Sequence, residues 1–327
     1  MSQPLPPLRL APIFQSRIWG GRRFADLFGW TLPDGPIGEA WLLSDRDDFP
    51  SRIADGPCAG QTLRQLLAAH PADMLGRHHG LERFPLLLKF LDARDDLSIQ
   101  VHPSDDHKEY LPPGERGKTE AWLVLDAVPG SKIYAGVQPG LTDTRLRTQV
   151  GSRSLAAALG QFHPQPGDGV FLPAGTLHAL GAGVAVFEVQ QNSDVTFRLD
   201  DWGRVDAKTG QPRELHVEQS LACTDFARGP LAPLTPVSVS ADGAERELLF
   251  QCEFFQTWRL RGQKPFALGR SGEGRVLVGI EGASQLQCST GTYPVNAGDT
   301  FLLPASLGAC ICAPVGAATV LEIALPE

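Results

Sequence analysis

The stretch LSIQVHPSDDHKEYLPPGERGKTEAW, residues 97–122, is the most informative part of the sequence for both fold and function. It opens with apolar and polar residues in strict alternation, the pattern of an extended strand with two different faces. One face carries the polar side chains of Ser98, Gln100 and His102. After a proline-rich loop, a second apolar run begins at Glu120. If the two runs pair, Glu120 approaches Gln100 and His102, and the stretch forms one wall of a site.

Length and charge limit the classes of protein to which the chain can belong. With 327 residues it can bury one large core or two of ordinary size. A net charge of -8 and the lack of a Lys/Arg run argue against nucleic acid as a partner. No segment has the roughly eighteen consecutive apolar residues of a membrane span, and the first residues lack the core of a signal peptide. We therefore expect a cytoplasmic protein without a membrane partner, a monomer or a weak homo-oligomer.

Short apolar runs between frequent turn residues predict a mainly β fold with a few helices. The chain contains 35 Gly and 27 Pro, which separate apolar runs that are about five to eight residues long. Helical spacing occurs at 62–75, where Thr62 is a plausible N-cap, and at 142–159. The six cysteines are scattered and are expected to be buried free thiols, because the single motif at Cys310 and Cys312 is weak for a metal site.

An internal repeat relates two parts of the chain. The segments PGDGVFLPAG at 166–175 and AGDTFLLPAS at 297–306 each place Gly-Asp before a short, mostly apolar run and a proline. A repeat of this kind predicts two related β-barrels. The copies differ where chemistry is expected, because the position equivalent to His178 in the second copy is Ala309.

The composition between the two copies predicts the domain boundaries. Residues 229–245 are rich in Pro, Ser and Val without clear periodicity, which is typical of a linker. We therefore predict a first, catalytic domain at 1–228 and a second β domain at 246–327. The second domain contains no His, so we interpret it as a structural domain without metal ligands that covers an edge or flank of the first.

Two of the eight histidines lie in patterns that indicate metal binding. His102 ends the alternating strand, and His178 follows Gly-Asp, a short strand and a Pro-Ala-Gly turn, which places it at the mouth of a small barrel. With Gln100 and Glu120 they provide two imidazoles, one carboxylate and one amide oxygen, all donors that zinc accepts. With a single carboxylate, Zn²⁺ keeps net positive charge and remains a Lewis acid. The alternative is that Gln100 and Glu120 satisfy each other in a polar barrel interior.

Several motifs in order resemble the type I mannose-6-phosphate isomerases, zinc enzymes of the cupin superfamily. The motifs are IWGG, IGEAW, LSIQVHP, GKTEAW, LPAGTLHALG and EVQQNSDVTFRLDDWGR. They extend from about residue 19 to residue 221, and the chain length resembles the short bacterial branch of that family. The resemblance implies two cupin-like jelly-roll barrels, one zinc ion per chain, and interconversion of mannose 6-phosphate and fructose 6-phosphate. It implies these zinc ligands: Gln100, His102, Glu120 and His178.

Isolated cations fit a sugar phosphate as the substrate. Arg198 alternates with apolar residues on a predicted strand and matches the catalytic arginine of the family, where positive charge stabilises an enediolate. The alternative is an ion pair with Asp200. Lys89 is a lone charge in the apolar run LLLKFLDA, which is costly unless it faces a polar pocket. By resemblance, Lys89, Ser98 and Lys118 belong to the substrate pocket, with Lys89 and Ser98 nearest the phosphate.

The general base that moves a proton between C1 and C2 has three candidates: Glu188, Lys118 and a zinc-bound hydroxide. Our hypothesis gives this transfer to Glu188 or Lys118. Two other functions would use similar residues. Two His and one carboxylate form the facial triad of non-haem iron oxygenases, although Gln100 as a fourth ligand argues against that function. A cupin of this kind could also bind a sugar without catalysis.

Overall fold

Twenty β-strands, five α-helices and two 3-10 helices, at Ala156–Ala158 and Ala305–Leu307, make up the secondary structure of the described residues. The computed structural model of the chain describes residues 5–152, 154–206, 209–241 and 243–326. The strands are β1 (Leu8–Leu10), β2 (Ile13–Gly21), β3 (Ile37–Leu43), β4 (Leu86–Ala93), β5 (Ile99–Val101), β6 (Glu120–Ala127), β7 (Ile133–Val137), β8 (Leu159–Phe162), β9 (Gly169–Leu172), β10 (His178–Leu180), β11 (Val184–Gln191), β12 (Phe197–Asp200), β13 (Val237–Ala241), β14 (Ala244–Gln251), β15 (Gln256–Gly262), β16 (Phe266–Leu268), β17 (Arg275–Cys288), β18 (Gly291–Asn296), β19 (Thr300–Leu303) and β20 (Cys310–Ala324). The helices are α1 (Phe24–Phe28), α2 (Leu63–Ala69), α3 (Pro71–Leu75), α4 (Asp143–Gln149) and α5 (Val217–Cys223). The prediction of a mainly β fold with a few helices is confirmed.

The helices are short, and none of those described is long and apolar enough to cross a membrane. In the segment 62–75, the Thr62 hydroxyl accepts the N–H of Gln65, and the Gln65 side chain accepts the N–H of Thr62. This capping box starts α2. A second helix, α3, begins at Pro71, because proline suits the first position of a helix and not its interior. In the segment 142–159, α4 is followed by a separate 3-10 turn at Ala156–Ala158.

The first barrel consists of two sheets that face each other. Strands β2, β3, β4, β11, β6 and β9 form a six-stranded sheet in this order, and β12, β5, β10, β7 and β8 form a five-stranded sheet. Side chains from both sheets fill the space between them, among them Leu91, Trp122, Ile133 and Leu180. The outer face of the five-stranded sheet packs against α4 and α5. Polar side chains that point inward therefore share a space enclosed by two sheets.

The second barrel is formed by one nine-stranded sheet that curls around its own core. Its main path runs β1, β19, β17, β20, β15, β14, β13, with β16 attached to β20 and β18 to β17. The pairing of β17 with β20 shifts register twice between Gly279 and Ala283, and such bulges bend a strand. Leu260, Leu277 and Val320 from three strands of this sheet meet in one apolar cluster.

A shared core joins the two barrels. The outer face of the six-stranded sheet contributes Leu88 and Phe187, and the second barrel contributes Val276 and Leu321 to the same buried cluster. Because this sheet is covered on both faces, β4 and β11 are buried along their whole length and read as near-continuous apolar runs. The second barrel therefore supports the sheet that carries one side of the candidate site.

The structure differs from the sequence interpretation in three places. The range 229–245, predicted as a linker, contains β13 and the start of β14, which pair with each other. The alternating run that begins at Leu97 forms a strand only over Ile99–Val101. In the described sheets β5 and β6 do not pair but belong to the two facing sheets of the first barrel, so Glu120 meets His102 across the barrel interior. The domain boundaries themselves stay a prediction.

Candidate metal centre and active site

The predicted metal ligands converge from the two facing sheets. Gln100 lies on β5, His102 follows the end of that strand, and His178 begins the neighbouring β10, where it is the register partner of Gln100. Glu120 begins β6 in the opposite sheet. Because alternate side chains of a strand share a face, Gln100 and His102 point to the interior while Ile99 packs into the outer core.

The carboxylate of Glu120 lies between two imidazoles. Its Oε1 is 3.2 Å from Nε2 of His178, and its Oε2 is 3.5 Å from Nε2 of His102. One donor atom from each residue lies within 4.8 Å of the others, and all three side chains are buried. Within the part of the chain that the structure describes, this is the only group of three or more His, Cys, Asp or Glu residues spaced to hold a metal ion.

Hydrogen bonds hold both imidazoles with Nε2 turned toward Glu120. Nδ1–H of His102 donates to the carbonyl of Val195 at 2.8 Å, and Nδ1–H of His178 donates to the carbonyl of Thr176 at 2.9 Å. With the proton on Nδ1, Nε2 keeps the lone pair that binds a metal. Nε2 of His102 and Oε1 of Glu120 have no hydrogen-bond partner among the described residues, and Oε2 of Glu120 lies 2.7 Å from the Lys118 ammonium group. Buried acceptors without donors are costly, so this donor set fits a bound cation.

The charges around the centre favour the ligand form of each group. Burial raises the pKa of Glu120, but Lys118 and the two imidazoles outweigh it and hold the pKa well below its ordinary value. Burial, together with the positive charge of Lys118, holds the pKa of His102 well below its ordinary value. An ionised carboxylate and a neutral imidazole are the states in which these side chains coordinate metals.

Gln100 completes the set in one of the two orientations of its amide. Its nitrogen is placed 3.4 Å from Nε2 of His178, and its oxygen accepts the hydroxyl of Ser98 at 3.1 Å. Amide oxygen and nitrogen are assigned from their surroundings, so the two atoms are interchangeable here. With the amide turned over, the oxygen faces the centre and the nitrogen donates to Ser98. In that orientation Gln100 offers a fourth donor atom next to the three of His102, Glu120 and His178.

Lys118 and Glu188 lie between the metal ligands and the open part of the site. Nζ of Lys118 is 2.7 Å from Oε2 of Glu120 and 4.0 Å from Oε1 of Glu188. Trp122 Nε1–H donates to the other oxygen of Glu188 at 2.8 Å, and Oε1 has no hydrogen-bond partner among the residues described. Burial, opposed by Lys118 and aided by Glu120, raises the pKa of Glu188. Glu188 therefore has an oxygen without a hydrogen bond, although Nζ of Lys89 lies 3.5 Å from it, and an increased affinity for a proton.

Lys89 lies within a cage of carboxylates. Its Nζ is 3.8 Å from Glu39, 3.5 Å from Glu188 and 3.7 Å from Asp194. It also lies 5.0 Å from the centre of the Trp41 ring, a cation–π contact. The side chain is buried, as expected of a charge inside an apolar run. The pocket predicted to accept it is present, but the charge of Lys89 is already balanced by the protein.

Sequence reasoning missed Glu39 and Arg17. The carboxylate of Glu39 accepts Arg17 Nε at 2.9 Å, Arg17 Nη2 at 3.1 Å and Trp41 Nε1 at 2.6 Å. Burial raises the pKa of Glu39, but Lys89 and Arg17 outweigh it and lower the pKa to about 2. A signal was present, because Glu39 and Arg17 are single charges in apolar strands, the same pattern that identified Lys89.

Arg198 lies on β12 and its side chain reaches the same space. Nη1 donates to the carbonyl of Glu214 at 2.9 Å, and Nε has no hydrogen-bond partner among the described residues. Asp200, the alternative ion-pair partner, instead accepts two backbone N–H groups at 2.8 and 2.7 Å. Burial, reinforced by the neighbouring Arg213, lowers the pKa of Arg198. A guanidinium with an unused donor next to a cavity suits an anionic group.

One cavity of about 410 Å³ brings the predicted substrate residues together. The predicted residues that line it are Lys89, Ser98, Gln100, Lys118, Glu188 and Arg198. Four charged residues missing from the predicted set also line it: Arg17, Glu39, Asp194 and Arg213. The three metal-type ligands His102, Glu120 and His178 are buried behind this wall, next to Gln100 and Lys118.

The chain is similar over most of its length to known mannose-6-phosphate isomerases. A family model for phosphomannose isomerase type I, catalytic domain, matches residues 8–118. The mannose-6-phosphate isomerase ManA of Bacillus subtilis is 36% identical over 310 residues, which cover 92% of this chain and 94% of the relative. The mannose-6-phosphate isomerase of Streptococcus mutans is 34% identical over 308 residues, covering 91% and 92%.

Solved structures give the same result. The crystal structure of mannose 6-phosphate isomerase from Bacillus subtilis matches with a TM-score of 0.89 and 33% identity, over 97% of this chain and 99% of that chain. Mannose 6-phosphate isomerase from Salmonella typhimurium shares the fold at 18% identity, with a TM-score of 0.77 over 98% and 99% of the two chains. These likenesses confirm the cupin-like fold class. The chain therefore belongs to the type I phosphomannose isomerase family of enzymes.

Proposed function

We propose that the protein interconverts mannose 6-phosphate and fructose 6-phosphate with one zinc ion per chain. The observation that supports this most is the buried group His102, Glu120 and His178, which lies behind a cavity whose lining includes five Lys and Arg side chains. Relatives that match more than nine-tenths of the chain carry the same activity in their names. The substrate is therefore a small sugar phosphate.

The donor set is appropriate for zinc. Two imidazole nitrogens, one carboxylate and one amide oxygen from Gln100 are ligands of the type zinc binds. When bound there, the metal supplies Lewis-acid polarisation of a sugar carbonyl or hydroxyl oxygen. The protein contributes the orientation, because both Nδ1–H groups are tied to backbone carbonyls and cannot rotate away without losing a hydrogen bond.

The phosphate is assigned to the side of the cavity that carries Arg198 and Ser98. A phosphate dianion binds best to cations that the protein has not already neutralised. Arg198 has an unused donor and lines the cavity together with Arg213. Lys89 lines the same cavity but faces three carboxylates, so we propose that it contributes less to phosphate binding than Arg198. Lys118 lies next to the metal ligands, where it can hold the sugar.

The reaction moves two protons, one from C2 to C1 and one from the C2 hydroxyl to the C1 oxygen, and leaves the atom count unchanged. The hydrogen on C2 of the aldose is removed as a proton, the electrons form a cis-enediol, and a proton returns at C1 to give the ketose. We assign the proton transfer between C2 and C1 to Glu188 or Lys118. Glu188 has an Oε1 without a hydrogen bond at the cavity wall and a raised pKa, both useful for a general base. Arg198 then stabilises the negative charge on the enediolate oxygen.

Incubation of the zinc-loaded protein with mannose 6-phosphate in D₂O tests the proposal. Nuclear magnetic resonance should show fructose 6-phosphate and deuterium at C1 or C2, whereas unphosphorylated mannose should react far more slowly. A fully zinc-loaded protein that gives neither product nor exchange would be a binding protein. A protein purified with iron that consumes O₂ with substrate would be an oxygenase.

Two variants distinguish the candidates for the base. Glu188→Gln keeps the shape of the side chain and the indole hydrogen bond from Trp122 but cannot accept the proton. Lys118→Met keeps the length of the side chain without its charge. If Glu188 is the base, Glu188→Gln should abolish deuterium exchange at zinc occupancy equal to the wild type. Exchange that persists in Glu188→Gln and disappears in Lys118→Met would assign the transfer to Lys118.

A further inference from the structure

The second barrel contains a position equivalent to the metal centre. The internal repeat aligns Leu172 on β9 with Leu303 on β19. In the first barrel Leu172 is the register partner of Glu120 on β6, and in the second barrel Leu303 is the register partner of Arg275 on β17. Arg275 therefore occupies the strand position that Glu120 occupies in the metal centre.

The equivalence extends to the neighbouring strand and to the residues beside it. Glu188 on β11 pairs with Trp122, two residues beyond Glu120, and Glu322 on β20 pairs with Leu277, two residues beyond Arg275. Lys118, two residues before Glu120, corresponds to Glu273. The second barrel thus keeps buried charges at these positions, but two of the three have the opposite sign.

Arg275 is a buried guanidinium with unused donors. Its side chain is only 7% exposed. Nη2 donates to Glu273, whereas Nε and Nη1 have no hydrogen-bond partner among the described residues. The guanidinium lies 5.3 Å from the centre of the Trp258 ring, and that of Arg246 lies 4.9 Å from the same ring. Buried donors without acceptors are costly, so this arrangement calls for an additional acceptor.

The charges around Arg275 favour a negatively charged acceptor. Glu322 accepts Arg246 Nη2 at 2.9 Å and the N–H of Gly269 at 2.7 Å, so its carboxylate is already engaged. Glu273 is shared between Arg275 and two further arginines, Arg77 and Arg270, each at 3.3 Å. Among the described residues, both carboxylates thus already accept other donors besides Nε and Nη1 of Arg275. In agreement, burial lowers the pKa of Arg275 despite both carboxylates.

We propose that the second barrel binds a small inorganic anion, a halide or a phosphate, through Nε and Nη1 of Arg275. Because the guanidinium is only 7% exposed, we expect a small ion there in preference to a sugar phosphate, and Arg246, at 25%, is the more exposed neighbour. The anion would neutralise the cluster at the place where the first barrel holds a metal. This inference does not depend on the isomerase activity.

Crystals grown with sodium bromide test the site directly. Bromide scatters anomalously, so a bound ion should give an anomalous peak within hydrogen-bonding distance of Arg275 Nε or Nη1. A parallel crystal in phosphate should show tetrahedral density there if the site takes oxyanions. Ordered water at this position in both crystals, with no anomalous peak, would overturn the proposal.

Thermal unfolding tests the same site in solution. Replacing sodium gluconate by sodium bromide at constant ionic strength should raise the Tm of the wild type by about 2 °C or more. Arg275→Gln should abolish this rise, and Arg275→Lys, which keeps a cation, should retain part of it. Arg259→Gln is the matched control, because Arg259 is equally buried in the same sheet but bonded to Glu247 at 2.7 Å and to the carbonyl of Gly167 at 2.9 Å. Arg259→Gln should respond to bromide as the wild type does. The proposal fails if folded Arg275→Gln shows the same rise in Tm.

Discussion

In the first barrel, the strand that pairs with β9 carries Glu120, a carboxylate flanked by two imidazoles and by the ammonium group of Lys118. In the second barrel, the strand that pairs with β19 carries Arg275, whose guanidinium brings its own positive charge. One copy of the repeat is thus arranged to recruit a cation, and the other contains one. The comparison teaches that a cupin-like barrel can keep its strand register while the charge of its centre is reversed.

The largest expected effect on the difference between the barrels comes from removing an imidazole from the first barrel. His178→Ala should lose bound zinc and more than about 100-fold in activity, because even changes behind a metal ligand cost roughly 10- to 100-fold in metal affinity or activity. Metal analysis and an isomerase assay on the same sample measure both. His163→Ala, which removes an exposed imidazole, is the control and should change neither. Full zinc occupancy in His178→Ala would contradict the assignment of this ligand.

A second change should separate turnover from metal binding. Arg198→Met should keep its zinc and lose roughly 10²- to 10³-fold in kcat, the usual cost of removing one group that stabilises an oxyanion. Arg261→Met makes the same substitution on β15 of the second barrel, at a side chain 40% exposed, and should keep wild-type turnover. If Arg198→Met raised only KM, the residue would bind phosphate without stabilising the enediolate.

The third change concerns stability at acid pH. The folded protein lowers the pKa of Glu39 from 4.5 to about 2, so ionised Glu39 stabilises the fold fully above pH 4.5, and this contribution is lost as the pH falls toward 2. The shift corresponds to about 3 kcal/mol. We therefore expect urea unfolding, measured at several pH values from about 5 down to about 2.5, to show a smaller loss of stability for Glu39→Gln than for the wild type. Glu245→Gln, at an exposed carboxylate of the second barrel, is the control, and an unchanged slope in Glu39→Gln would contradict the prediction.

The smallest expected effect comes from removing one serine hydroxyl group from each barrel in turn. Ser98→Ala removes the donor to Gln100 and should weaken zinc or substrate binding about 2- to 10-fold, the equivalent of one hydrogen bond. Ser284→Ala removes a buried hydroxyl without a hydrogen-bond partner among the described residues of the second barrel and should leave zinc and substrate binding unchanged. Titration of both variants with zinc and with mannose 6-phosphate checks this, and equal effects would remove the distinction between the barrels.

Residues close in sequence on alternating strands were predictable, and contacts between distant strands were not. Alternation placed Ser98, Gln100 and His102 on one face, and the internal repeat drew attention to His178. The cage around Lys89 was not predictable, because its carboxylates come from positions 39, 188 and 194 and meet only when three strands and a loop assemble. Periodicity shows which face of a strand is polar but not which other strand lies opposite.

The same limit of periodicity applies to β5 and β6, whose pairing was considered from the sequence. Consecutive strands are usually neighbours in a sheet, so the two apolar runs on either side of residues 103–119 could have paired. The two strands instead enter opposite sheets. The internal repeat does not by itself identify Arg275 as the counterpart of Glu120, because that equivalence depends on the register of β17 against β19 and of β6 against β9.

The pairing of Leu8 with Leu302 also bears on how the molecule is made. β1 is an edge strand of the second barrel's sheet, yet its partner β19 is synthesised roughly 290 residues later. At about 5–20 residues per second, this strand must wait on the order of 15–60 s on the ribosome before its partner exists. During that interval its unpaired edge is open to other strands. The last step of folding should therefore be the docking of the beginning of the chain onto its end, and a nascent chain stalled before β19 should remain incomplete at the second barrel.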